Sequence, residues 1–98
     1  MIGLSPEAET RLDGLLLHYE RLQRVEAAEN LLAALERASV RIEEASSAGL
    51  PAPRPYPVLA RLGFRWIREG SYWIAYSPTR PPVIVGVFHA TADIPNRA

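Results

Sequence analysis

The sequence predicts an α+β fold: an N-terminal helical hairpin packed on a three- to four-stranded, mainly antiparallel sheet. Three observations lead there. Apolar residues recur at helical spacing from Leu4 to Ile42. A proline-dense stretch over residues 49–57 then ends that pattern. Beyond it the residues shift to β-formers, and seven of the eight aromatics lie from Tyr56 onward.

The first helix opens at Ser5-Pro6-Glu7. Serine caps the free amides, proline suits the first helical position, and the acid complements the helix dipole. Leu4, Ala8, Leu12, Leu15, Leu16, Tyr19 and Leu22 then fall on one face. A second apolar stripe runs through Ala28, Leu31, Leu32, Leu35, Ala38 and Ile42, and it should stop near Ser46-Ser47-Ala48-Gly49. No glycine or proline separates the two helices. One unbroken rod over residues 5–47 would be about 60 Å long at ~1.5 Å per residue, far beyond a domain of this size. Geometry therefore requires a bend, expected at residues 24–26. Residues 49–57 read as an extended, proline-restricted loop. Three strands follow over residues 62–68, 71–76 and 83–89. They are joined by a tight turn at Glu69-Gly70 and a longer one at Ser77-Pro78-Thr79-Arg80-Pro81-Pro82. Residues 1–4 are expected to add a short edge strand.

The chain has 98 residues, enough for one domain with one core, expected to span residues 1–98. It has no cysteine and two histidines, so disulfides, thiol catalysis and cysteine-ligated zinc are excluded and no metal site is expected. No cofactor motif stands out either. No apolar run approaches a membrane span, and the N-terminus lacks the basic flank of a signal peptide, so a cytoplasmic location is expected. Net charge is zero, but up to Ala48 nine acids face five bases, and from Gly49 onward six bases face two acids. A basic second half points to an anionic partner, or to mutual neutralisation of the halves within the fold.

Several stretches resemble the RelE/ParE toxins of bacterial type II toxin–antitoxin systems. These are Ser5 to Ala8 opening the first helix, Ala27 to Ala38 in the second, and Arg54-Pro55 in the loop. The longest is the hairpin Gly63-Phe64-Arg65-Trp66-Ile67-Arg68-Glu69-Gly70-Ser71-Tyr72-Trp73-Ile74-Ala75-Tyr76. The last strand, Val83 to His89, and the tail Asp93-Ile94 complete the order. The resemblance implies a cognate antitoxin of the ParD kind as partner in a hetero-oligomer. It also implies one of two targets: DNA gyrase for a ParE-like binder, or mRNA on the ribosome for a RelE-like endonuclease. The chain departs from the family at Gly86 and Ala92, where ParE-like proteins commonly carry arginine, and no tyrosine follows Tyr76. These departures weigh against RNA cleavage and favour a binder over an enzyme. They also leave room for a degenerate toxin that only binds its antitoxin.

The candidate partner-binding residues are Arg54, Arg61, Arg65, Arg68 and Arg80 with Tyr72, Trp73 and Tyr76. Arginine pairs bidentately with phosphate or carboxylate, and aromatic rings stack on bases. The competing reading is a solvated sheet face with aromatics in the core. Strand alternation places Phe64, Trp66 and Arg68 on one face, Arg65 and Ile67 on the other. For catalysis the candidates are Arg61, Arg65, Arg68 and His89. RNA cleavage through the 2′-hydroxyl needs a base, an acid and cations. A His89–Asp93 contact would orient the imidazole, or serve only as a structural hydrogen bond at the strand end. Tyr19 is expected in the core and His18 on the surface.

Overall fold

The first helix starts where its capping residue puts it. In the computed structural model, which describes residues 2–53 and 63–91, Ser5 accepts a hydrogen bond from the Ala8 amide (3.2 Å) and Pro6 begins α1 (Pro6–Arg21). A two-residue strand precedes it, β1 (Gly3–Leu4). The second helix is α2 (Val25–Glu44). Between the helices Gln23 takes a left-handed conformation, φ 54°. Its amide donates to the Glu20 carbonyl (3.0 Å) and the Arg24 amide to the Tyr19 carbonyl (2.8 Å). This is a Schellman stop with glutamine in the place glycine usually takes. The bend therefore falls at Gln23, just before the expected residues 24–26, and a bulky residue hides it from composition. The longest dimension of the molecule is 37 Å, so the hairpin folds back as the length argument requires.

The sheet follows: β2 (Arg65–Glu69), β3 (Tyr72–Ser77) and β4 (Val83–His89). Its order is β1-β4-β3-β2. β2, β3 and β4 form an antiparallel meander, and β1 runs parallel to β4 at its edge. Gly70, φ 58°, opens the two-residue turn into β3, as a primed hairpin turn demands. The first meander strand starts later than expected and runs one residue further; the third matches its expected bounds. Leu50 also pairs with Trp66, with 2.7 Å bonds in both directions, so part of the proline loop's approach is extended along β2.

Both faces of the sheet are buried. Ile67, Tyr72, Ile74, Tyr76, Ile84 and Val87 meet the helices, against Ala8, Leu31, Ala34, Leu35, Ala38 and Ile42. A bulge at Val85 restores the register so that Ile84 points to this core. Each fully buried Leu or Ile here contributes about 2 kcal/mol. Trp66, Trp73, Ala75 and Phe88 form a second cluster on the other face, with Leu50 and Val85 beside it. Glu69 ties α2 to β2: it takes Arg37 Nε on one oxygen and Arg41 Nη1 on the other, both at 2.9 Å. Arg41 also donates to the Arg68 carbonyl (2.8 Å). Among the described residues, no helix is long and apolar enough to cross a membrane.

Candidate functional site

The strand register decides which candidate residues meet. Arg65 lies opposite Tyr76, on the helix-facing side. Arg68 lies opposite Trp73, on the other side, and Trp73 lies opposite Phe88. His89 ends β4 in the row of Glu69 and Tyr72, facing the helices. Arg65 and His89 share a face but stand at opposite ends of the strands, four residue rises or about 13 Å apart along them. Arg68 and His89 stand on opposite faces. Arg80 is exposed in the β3–β4 connection, at the Arg65 end. Among the described candidates, Arg65, Arg68, Arg80 and His89 thus do not converge on one centre. Arg54, Arg61, Ala92 and Asp93 lie outside the described residues.

The three strand aromatics are core residues: Tyr72, Trp73 and Tyr76 are 4%, 5% and 0% exposed. None presents a free ring face for base stacking. Arg68 is exposed, donates Nε to the Gly70 carbonyl (3.1 Å) and sits 5.9 Å over the Trp73 ring. Tyr76 is a clamp. Its hydroxyl donates to the Ser46 carbonyl (2.6 Å) and accepts from the Gly49 amide (3.1 Å), fixing the chain just after α2. Gly86, at the position where the resemblance would have arginine, lies buried beneath Phe88. A Cβ built there falls 2.7 Å from the Phe88 ring, and the Arg11 guanidinium caps that ring at 4.4 Å.

Another set of polar side chains does converge, at the bend of the hairpin. His18, Tyr19, Tyr72 and His89 form a continuous series. The Tyr19 and Tyr72 hydroxyls lie 2.5 Å apart. Tyr72 meets the His89 ring edge-on at 5.3 Å, and Tyr19 meets the His18 ring at 5.9 Å. Thr91 donates its amide to His89 Nδ1 (3.2 Å), and its hydroxyl lies 2.7 Å from the same nitrogen. An amide can only donate, so Nδ1 accepts and the neutral ring carries its proton on Nε2. Burial, then the hydrogen bond and proximity of Tyr19, push the Tyr72 phenol well above its ordinary value, outweighing the opposing Arg24 charge. Tyr72 stays a hydroxyl at physiological pH and is no base.

Tyr19, Tyr72 and His89 line an open groove of about 640 Å³ with Gln23, Arg24, Glu26, Asn30 and Ser71. A second groove shares Tyr19, Arg24 and His89 and continues past His18 and Arg11. The sequence marks Tyr19 as core and His18 as surface, and both are so placed. Arg24 and Thr91 are found only by folding: neither belongs to a motif, and the unmarked bend is what brings Arg24 to the end of the sheet. Among the described residues no cluster of acids and histidines could hold a metal ion. No protein-family model matches the chain, and no curated protein is significantly similar to it.

Proposed function

We propose that this protein is a toxin of the RelE/ParE kind, acting ParE-like as a stoichiometric inhibitor of DNA gyrase and held inactive by a ParD-like antitoxin in the cytoplasm. The observation that carries a binder over an enzyme is the dispersal of Arg65, Arg68 and His89 over two faces and two ends of the sheet. General acid–base cleavage needs those groups within hydrogen-bond reach of one phosphate. Binding a large enzyme does not. The order of elements, two helices and then a meander ending in His89, agrees with the resemblance. The hairpin exposes Leu17, Leu22, Val25, Leu32 and Val40, at 45–68%, and an antitoxin segment that folds over the toxin would cover such surface.

The test is supercoiling by purified gyrase. Inhibition should rise in proportion to added protein, saturate near one toxin per gyrase site, vanish with antitoxin, and survive His89→Ala. A RelE-like endonuclease remains the second reading, favoured by one feature: Thr91 fixes the His89 tautomer and leaves its Nε2–H available. Ribosome-dependent mRNA cleavage that His89→Ala abolishes in a folded protein would reverse the ranking. Inertness toward both targets with antitoxin binding intact would point to a degenerate toxin, consistent with Phe88 filling the space over Gly86.

A further inference from the structure

The helical hairpin turns one face to the sheet, and its outer face is not simply polar. On α2, Val25, Leu32 and Val40 are 68%, 45% and 54% exposed. They recur seven and eight residues apart, which keeps them on one side of the helix. That side is turned away from the buried Leu31, Ala34 and Ala38. On α1, Leu17 is 46% exposed and lies opposite the buried Ala8 and Tyr19. The charges beside this apolar row are mostly of one sign. Glu29, Glu36 and Glu43 repeat every seven residues and share the α2 side with Val25 and Leu32. Asp13 and Glu20 stand one turn to either side of Leu17. All five are exposed, and none forms an ion pair among the described residues. Arg21, at the last residue of α1, is the base on this side. Arg37 and Arg41 reach back instead to Glu69 on β2.

We propose that this outer face docks a basic amphipathic helix of a partner protein. The apolar row calls for an apolar stripe on the partner. From Val25 to Val40 it runs about 22 Å, at ~1.5 Å per residue, a length that four helical turns cover. A repeat near seven residues is the spacing at which one helix seats its side chains along another. A helix surface offers no free backbone groups, so an extended peptide laid there would leave its own amides and carbonyls unpaired. A helix brings those bonds with it. The carboxylates along the row set the sign of the partner's flanks as positive. They also argue against a second copy of this chain, because a two-fold pairing of α2 on α2 brings Glu29, Glu36 and Glu43 against one another. An anionic lipid surface is repelled in the same way. The inference names the chemistry of the segment that would cover the hairpin if the partner is an antitoxin, and it stands without the toxin reading.

The experiment is a titration of the full-length, 15N-labelled protein with two synthetic amphipathic helical peptides of about 18 residues, followed by NMR. Both carry the same leucine stripe; lysine and arginine flank it in one, glutamate in the other. The basic peptide should move the amides of Leu17, Glu29, Leu32, Glu36 and Val40 along one saturable curve. It should bind at least roughly tenfold more tightly than the acidic peptide, and added salt should narrow that gap. Leu32→Ala should weaken it about fivefold through lost apolar contact. Glu29→Lys with Glu36→Lys, both at exposed helix positions, should invert the preference between the two peptides. Equal binding of both peptides would overturn the proposal, as would binding that the double reversal leaves unchanged in a folded protein. The absence of a saturable shift on the hairpin would overturn it as well. Neither gyrase nor antitoxin enters this assay, so its outcome is separate from that of the toxin reading.

Discussion

Tyr72 and Tyr76 stand on one strand and one face, four residues apart, yet their hydroxyls live differently. Tyr76 is closed: backbone groups on both sides of it, the Ser46 carbonyl and the Gly49 amide, use its donor and an acceptor lone pair. Tyr72 is open: it meets only another phenol, and the pair keeps a proton unspent beside a groove. At the closed end the hydroxyl is part of the fold. At the open end, stability comes from elsewhere, because Glu69, paired with Tyr72 across the hairpin, is clamped by Arg37 and Arg41. A buried polar group with every valence filled is a poor candidate for function. One with a valence left over, in a wall that solvent or ligand can reach, is a better one.

The contrast breaks most severely at Gly49. A Cβ built there falls 2.5 Å from the Tyr76 hydroxyl oxygen and 2.8 Å from the Arg65 Cβ. Gly49→Ala should cost about 3 kcal/mol, the upper range of overpacking, measured by denaturant unfolding. Tyr76→Phe strands the Ser46 carbonyl and the Gly49 amide and should cost about 2 kcal/mol. The same deletion at Tyr72 should cost about 0.5 kcal/mol, because the Tyr19 hydroxyl can turn to the groove. Equal costs at the two tyrosines would erase the distinction. Gln23→Gly, at the rim of the open end, should stabilise by about 1 kcal/mol by relieving the left-handed backbone.

An equally small effect concerns Glu69. Burial alone would raise its carboxyl, but the hydrogen bonds and charges of Arg41 and Arg37 outweigh it and hold the group below its ordinary value. A lowered folded value makes Glu69 stabilising above the unfolded carboxylate range, and the contribution is lost as pH falls through the folded value. Glu69→Gln should therefore lower stability at pH 7 by about 0.5 kcal/mol, the arginines being exposed. The gap to wild type should close in acid.

Much of the fold is legible in the residues. Ser5-Pro6 places the start of α1, Glu69-Gly70 places the hairpin, and alternation sorts Trp66 and Arg68 from Arg65 and Ile67. The bend is legible only as a length argument, since Gln23 fills a position that glycine would have announced. The site is less legible. Period-two alternation tells which face a strand residue takes, but not what backbone meets it there, so Tyr76 and Tyr72 look alike in sequence. Nor does spacing tell that Arg65 and His89 sit at opposite ends of a meander. Arg24 reaches the groove only because α1 ends three residues before it and the chain folds back.

The most direct measurement is a pulse-label of DNA and protein synthesis in cells within minutes of tightly controlled induction. Thymidine incorporation should fall first while amino-acid incorporation continues, and coexpressed antitoxin should restore thymidine incorporation. Amino-acid incorporation stopping first would contradict gyrase inhibition and turn attention to His89 as part of a ribonuclease.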